Sequence, residues 1–91
     1  MIDVIIVYDS AETIDKIKSA EINSDAFYKF INESSRKDKK KAYELKSYWG
    51  ARLSPFILVT KEDKPLTAFY SEDKGDAIDN LIKFLNETVC L

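Results

Sequence analysis

The chain has 91 residues, 45% of them hydrophobic, which suits one small core of strands covered by helices and leaves no room for a second. Its 14 basic and 16 acidic side chains give a net charge of -2, so no whole-molecule field draws it to nucleic acid or anionic lipid. With no histidine and one cysteine, Cys90, these residues form no disulfide among themselves, no cysteine metal cluster and no histidine general base.

The N-terminal stretch MIDVIIVYDS carries an acid at position 3, and its apolar run is too short for a signal-peptide core. Nothing later approaches a membrane span, so the expectation is a cytoplasmic protein with Cys90 reduced. Few glycines, and lysine in preference to arginine, suit an AT-rich coding genome, bacterial or phage.

Residues 2–8, IDVIIVY, form a nearly continuous β-branched run, the pattern of a strand buried on both faces. The stretch DSAETIDKIKSAEI that follows reads as a helix. Asp9 or Ser10 caps it, Glu12 stands three after Asp9 as in a capping box, and Ile14 and Ile17 share a face. Residues 26–31, AFYKFI, alternate loosely and are rich in aromatics, which favours a strand over continued helix. From Arg36 to about Trp49 the spacing predicts a second helix, with Ala42, Leu45 and Trp49 on one stripe, lysines on the other and Gly50 as the stop. FILV at 56–59 is a short apolar strand, KEDKP a polar turn, and LTAFYS at 66–71 an alternating strand, so these two form an antiparallel hairpin. The last helix is GDAIDNLIKFLNETV, with Ile78, Leu81, Ile82, Leu85 and Val89 at helical spacing.

The order is βαβαββα in a single domain, without repeat or linker. From Glu44 onward the chain runs helix, Tyr48 with Gly50, Arg52, then Ser54 before Pro55. An apolar strand, a charged turn, a second strand and Gly75 at a helix start complete the sequence of features. This run resembles the C-terminal half of thioredoxin, with Trp49 inserted between Tyr48 and Gly50 as a small departure. The resemblance implies a thioredoxin-like α/β fold, a mixed four-stranded sheet in the order 2-1-3-4 with helices on both faces. It also implies a cis Ser54–Pro55 bond that leaves the Ser54 backbone facing the site, able to pair with an extended peptide. Without the resemblance, Pro55 merely punctuates a strand start, where its missing N–H does no harm.

Members of that superfamily carry a CxxC motif where the first strand meets the first helix, and the helix N-terminus activates the attacking thiol. Here the junction is Tyr8, Asp9, Ser10, Ala11, Glu12, Thr13. Ser10 and Thr13 have the spacing of the two cysteines, but hydroxyls form no disulfide and no histidine is present to activate them. Thiol-disulfide chemistry is therefore not expected at this junction, and the favoured reading of Asp9 and Ser10 is as helix caps. Cys90 lies beyond the last helix, where reaching the junction would require the chain to fold back. No carboxylate pair, calcium-loop spacing or cofactor motif stands out.

Arg36, Lys37, Lys39, Lys40 and Lys41 form a basic run, with Lys46 and Arg52 farther on. The run reads as a solvated face or as a patch for acidic protein or a nucleic-acid backbone, and the acidic overall balance argues against nucleic acid. Two functional readings follow. The first is a noncatalytic binding module that holds a protein partner in a groove of residues 8–13, Ser54, Pro55, Gly75 and Asp76, with Tyr8 or Trp49 as exposed aromatics. The second, disfavoured because glutathione transferases carry an additional helical domain, is an enzyme that activates glutathione through Ser10. Gly75 and Asp76 would then hold the γ-glutamyl end of the tripeptide.

Overall fold

The computed structural model describes residues 2–20, 26–71 and 76–89. Strand β1 (Ile2–Tyr8) lies inside a four-stranded sheet, parallel to β2 (Ala26–Asn32) and antiparallel to β3 (Phe56–Lys61), which pairs antiparallel with β4 (Lys64–Phe69). The strand order is β2-β1-β3-β4, the mixed sheet expected from the sequence. Both inner strands are apolar along most of their length, with Asp3 in β1 and Thr60 and Lys61 at the end of β3 as the exceptions, because each of their faces is covered.

Alternation along the strands divides the core in two. On one face Ile2, Val4, Ile6, Ile57 and Val59 pack beneath α1 (Ala11–Ser19) and α3 (Ala77–Phe84), which contribute Ile17, Ala77, Ile78 and Leu81. On the other face Val7, Ile31, Phe56 and Leu58 meet Ala42, Leu45 and Trp49 of α2 (Lys39–Trp49). Each fully buried Ile, Leu or Phe contributes about 1.5–3 kcal/mol, so these two layers outweigh any surface ion pair in holding the helices to the sheet.

The helices and the hairpin depart from the sequence reading at their edges. Helix α2 begins at Lys39, not Arg36, because residues 36–38 are held in turns. The Ser35 carbonyl accepts from both Asp38 N at 3.2 Å and Lys39 N at 2.8 Å. Its other end stops as expected at Gly50, in left-handed conformation at φ 73°. Gly50 N and Ala51 N donate back to Ser47 O at 3.3 Å and Lys46 O at 2.8 Å, the two bonds of a Schellman turn. The hairpin turn is only Glu62 and Asp63, both at positive φ, so β4 already includes Lys64 and Pro65 and ends at Phe69. Pro65 is tolerated there because β4 is an edge strand, and the ladder shifts register between Val59 and Thr60. Helix α3 passes into a π-helical turn, Leu85–Val89, with Leu85 fully buried. Glu21 and Ile22 of the first expected helix, Gly75 and Cys90 lie outside the described residues.

Candidate functional site

Strand β1 runs directly into α1, and Ser10 makes the transition in extended conformation at φ -133°, ψ 138°. Its Oγ accepts from Glu12 N at 3.3 Å and its carbonyl from Thr13 N at 3.1 Å. The cap is thus Ser10 rather than Asp9, which places Glu12 at the second helical position and not in a capping box with Asp9.

The last pair of the β1–β3 ladder is Val7 with Phe56, and one further step of that register sets Pro55 beside Tyr8. The Ser54–Pro55 bond is cis. The Pro55 carbonyl accepts a 2.6 Å hydrogen bond from Ser71 Oγ, which draws the end of β4 over it. Ser54 turns its side chain away from α1: its Oγ donates to Glu33 Oε1 at 2.5 Å and accepts from Lys46 Nζ at 2.9 Å. Lys46 also donates to Glu33 Oε2 at 3.0 Å. Burial pushes the Glu33 carboxyl up, but the Ser54 hydroxyl and the Lys46 ammonium outweigh it and hold the group below its ordinary value.

The third element is the start of α3. Asp76 Oδ1 accepts from Ile78 N at 2.7 Å and Asp79 N at 3.3 Å, while Oδ2 accepts from Lys16 Nζ at 2.9 Å. Lys16 reaches Asp79 Oδ1 as well, at 3.2 Å, so one lysine of α1 spans two carboxylates of α3. Partial burial raises the Asp76 pKa, and Lys16 with the two backbone N–H groups more than reverses this. The hydrogen bond to Asp76 raises Lys16 in return.

Between these elements lies an open cleft of about 380 Å³. Glu12, Thr13 and Lys16 of α1 line one wall, Asp76, Ala77 and Ile78 of α3 the other, and Pro55 and Ser71 the end of the sheet. The structure therefore gathers Glu12, Thr13, Pro55 and Asp76 of the residues singled out in the sequence. Tyr8, Asp9, Ser10, Ala11 and Ser54 border this region without lining the cleft, and Gly75 is outside the described residues. The Tyr8 ring packs edge-on against Phe30 at 6.2 Å, and Trp49 lies in the α2 core on the opposite face, so neither is an exposed aromatic of this cleft. Lys16 and Ser71 join the site unannounced. Lys16 was readable as one helical turn beyond Glu12, whereas nothing local marks Ser71 or Glu33.

Ser10 Oγ accepts from Glu12 N as a helix cap and Ser71 Oγ donates to the Pro55 carbonyl, while Thr13 is buried. Asp76 caps its own helix and holds Lys16, which engages both oxygens the glutathione reading would need. Among the described residues no group of three or more metal-ligating side chains lies together. No helix among them is long and apolar enough to cross a membrane.

The basic run is divided by the fold. Arg36 and Lys37 sit in the turn before α2, and Lys39, Lys40 and Lys41 form its exposed first turn. Lys41 approaches Lys29 of β2, and that second ammonium lowers the Lys29 pKa.

The chain is similar to a designed protein of known crystal structure, with a TM-score of 0.60 and 19% identity over 97% of this chain and 80% of that one. It is also similar to a mutant thioredoxin from Halobacterium salinarum NRC-1, with a TM-score of 0.53 and 15% identity over 94% and 75% of the two chains. No protein-family model and no curated protein matches the sequence. With the observed strand order, these likenesses show a thioredoxin-like fold.

Proposed function

We propose that this chain is a redox-inactive, thioredoxin-like binding module that holds an extended segment of a protein partner in the cleft between α1, Pro55 and α3. The observation that carries the reading is the cleft itself. It is open and about 380 Å³ in volume, its lining among the described residues contains no thiol, and Ser10, Ser71 and Asp76 are engaged in capping, in a bond to Pro55 and in an ion pair with Lys16. Such a cleft offers fixed polar groups and a short apolar strip at Ala77 and Ile78, which suits recognition. A bacterial or phage origin belongs to the same proposal, supported by the low glycine content and the preference for lysine over arginine.

The test is a capture experiment from the source organism with the wild-type chain and a Glu12→Arg variant. The long cationic side chain at this exposed position enters the cleft while leaving the core intact. Loss of specific partners in the variant supports the reading, and equal recovery by both proteins removes the cleft from consideration. Measurable turnover in an insulin reduction assay would overturn redox inactivity. A calorimetric titration should show no heat of binding with millimolar glutathione, and saturable binding would favour the hydroxyl-based alternative.

A further inference from the structure

The net charge of -2 conceals a strong division. Residues 29–52 carry eight basic and three acidic side chains, net +5, whereas the remainder carries six basic and thirteen acidic, net -7. The basic segment comprises most of β2, the turn after it and α2, and α2 is the helix on its face of the sheet. A whole-molecule charge therefore says little about what this face attracts, because potentials near a surface follow the local distribution within about a Debye length, roughly 10 Å.

Aromatic side chains stand in the same place. Strand alternation puts Phe27 and Lys29 on the α2 side of β2, with buried Ile31, since Ala26, Tyr28 and Phe30 pack into the opposite core. Phe27 is 62% exposed, and Tyr48 of α2, which lines the groove beside Lys29, is 83% exposed. Between the sheet and that flank runs a groove of about 290 Å³. Ile5, Ile31 and Leu45 line it along with Lys29, Lys41 and Tyr48, and Glu44 is its acidic wall residue. On the other flank Tyr43, 72% exposed, stands beside Lys39 in a second cleft of about 430 Å³. Exposed rings next to paired ammonium groups suit a ligand that presents flat π-faces and anionic charge in alternation. An acidic peptide would satisfy the lysines alone.

We infer that the groove between β2 and α2 binds single-stranded nucleic acid, with one base stacked on Tyr48 in the groove, phosphates held by Lys29 and Lys41, and a further base stacked on exposed Phe27, two positions along β2 from Lys29 on the same face. Aromatic platforms beside a basic track are the physical means by which sheet surfaces bind unpaired strands, and stacking makes that binding tolerant of sequence. The crowding of Lys29 against Lys41 supports the assignment, because a phosphate between two ammonium groups relieves their repulsion. This surface is separate from the α1–α3 cleft, on the opposite face of the sheet, so it stands or falls independently of that reading.

Fluorescence anisotropy with a labelled oligothymidylate of about 20 nucleotides at about 50 mM salt tests it on the full chain. The expected result is saturable binding that prefers the single strand to a duplex of the same length and weakens as salt rises. Phe27→Ala and Tyr48→Ala should each weaken binding about tenfold. The double variant Lys29→Glu with Lys41→Glu should remove two phosphate contacts and reduce the steepness of the log–log salt dependence by about 1.4. All four positions except Lys41 and Tyr48 lie on β2, and none is a core residue, so circular dichroism should show every variant folded. No binding at low salt overturns the proposal. So does binding that survives both alanine variants or is displaced equally well by polyglutamate, since the face would then read charge alone and suit an acidic protein.

Discussion

Lys46 Nζ lies 3.0 Å from Glu33 Oε2, and the two residues enclose Ser54 Oγ between them. This one network joins three segments: the turn after β2, the body of α2, and the loop that brings the chain back to β3. The Lys46 side chain is 13% exposed and that of Glu33 is 25% exposed, so the pair lies well below the water-screened regime of surface ion pairs. Lys46→Met would leave the Glu33 carboxylate mostly buried with Ser54 as its remaining partner in the network, at a cost of about 1–3 kcal/mol. Glu33→Gln keeps an acceptor for Ser54 and should cost less. Urea denaturation of the two variants checks the order, and equal stability of Lys46→Met and wild type would show the network to be dispensable.

The same network sets a pH dependence. Glu33 titrates below its ordinary value of 4.5 in the folded chain, so the unfolded chain binds its proton first as the solution is acidified. Its contribution is therefore fully present above about pH 4.5 and is lost as pH falls through the lower folded-state value. Glu33→Gln removes this titration. Its stability deficit relative to wild type should be constant from neutral pH to about 5 and shrink in stronger acid. A deficit that is the same at pH 3 and pH 7 would contradict the assignment.

The fold was legible wherever burial alone decides the residue type. IDVIIVY and FILV are apolar on both faces because β1 and β3 are the inner strands, and the stripe from Ile78 to Leu85 is apolar because α3 lies flat on the sheet. Element edges were less legible because they depend on backbone bonds that composition does not encode. The Ser35 carbonyl delays α2 to Lys39, and two residues at positive φ shorten the hairpin turn to Glu62 and Asp63. At the candidate site, Glu12, Thr13, Pro55 and Asp76 could be brought together by matching motifs to the ends of strands. Ser71 reaches Pro55 across 16 positions and Glu33 reaches Ser54 across 21, distances over which a sequence pattern carries no signal.

The hairpin turn offers a gain in stability. Two-residue turns in which both residues have positive φ favour asparagine followed by glycine, whereas this chain places Glu62 at φ 52° and Asp63 at φ 64°. Left-handed backbone costs an ordinary L-residue about 1–2 kcal/mol, less for aspartate than for glutamate. The double substitution Glu62→Asn and Asp63→Gly should therefore stabilise the chain by about 1 kcal/mol, offset in part by the greater unfolded-state freedom of glycine. Both side chains are exposed, so no packing is lost. Thermal denaturation should show a rise in the midpoint, and a fall would mean that the turn is held by contacts of the native side chains.

Asp76 acts both as cap and as ion-pair partner, and substitution can separate the two roles. As cap it accepts from Ile78 N and Asp79 N at the start of α3, the helix that supplies Ile78, Leu81 and Leu85 with its π-helical continuation to the core. As ion-pair partner it meets Lys16 across the cleft, but the two side chains are 46% and 43% exposed, where solvent screening leaves such a pair a few tenths of a kcal/mol at most. Asp76→Ala removes both roles and should cost about 1 kcal/mol, most of it from the cap. Lys16→Met removes only the ion pair and should change stability by less than about 0.5 kcal/mol. Asp76→Asn keeps an acceptor for the two N–H groups while discarding the charge, so it should fall close to Lys16→Met. Should Asp76→Asn instead match Asp76→Ala, the charge rather than the cap would be what secures α3 to α1.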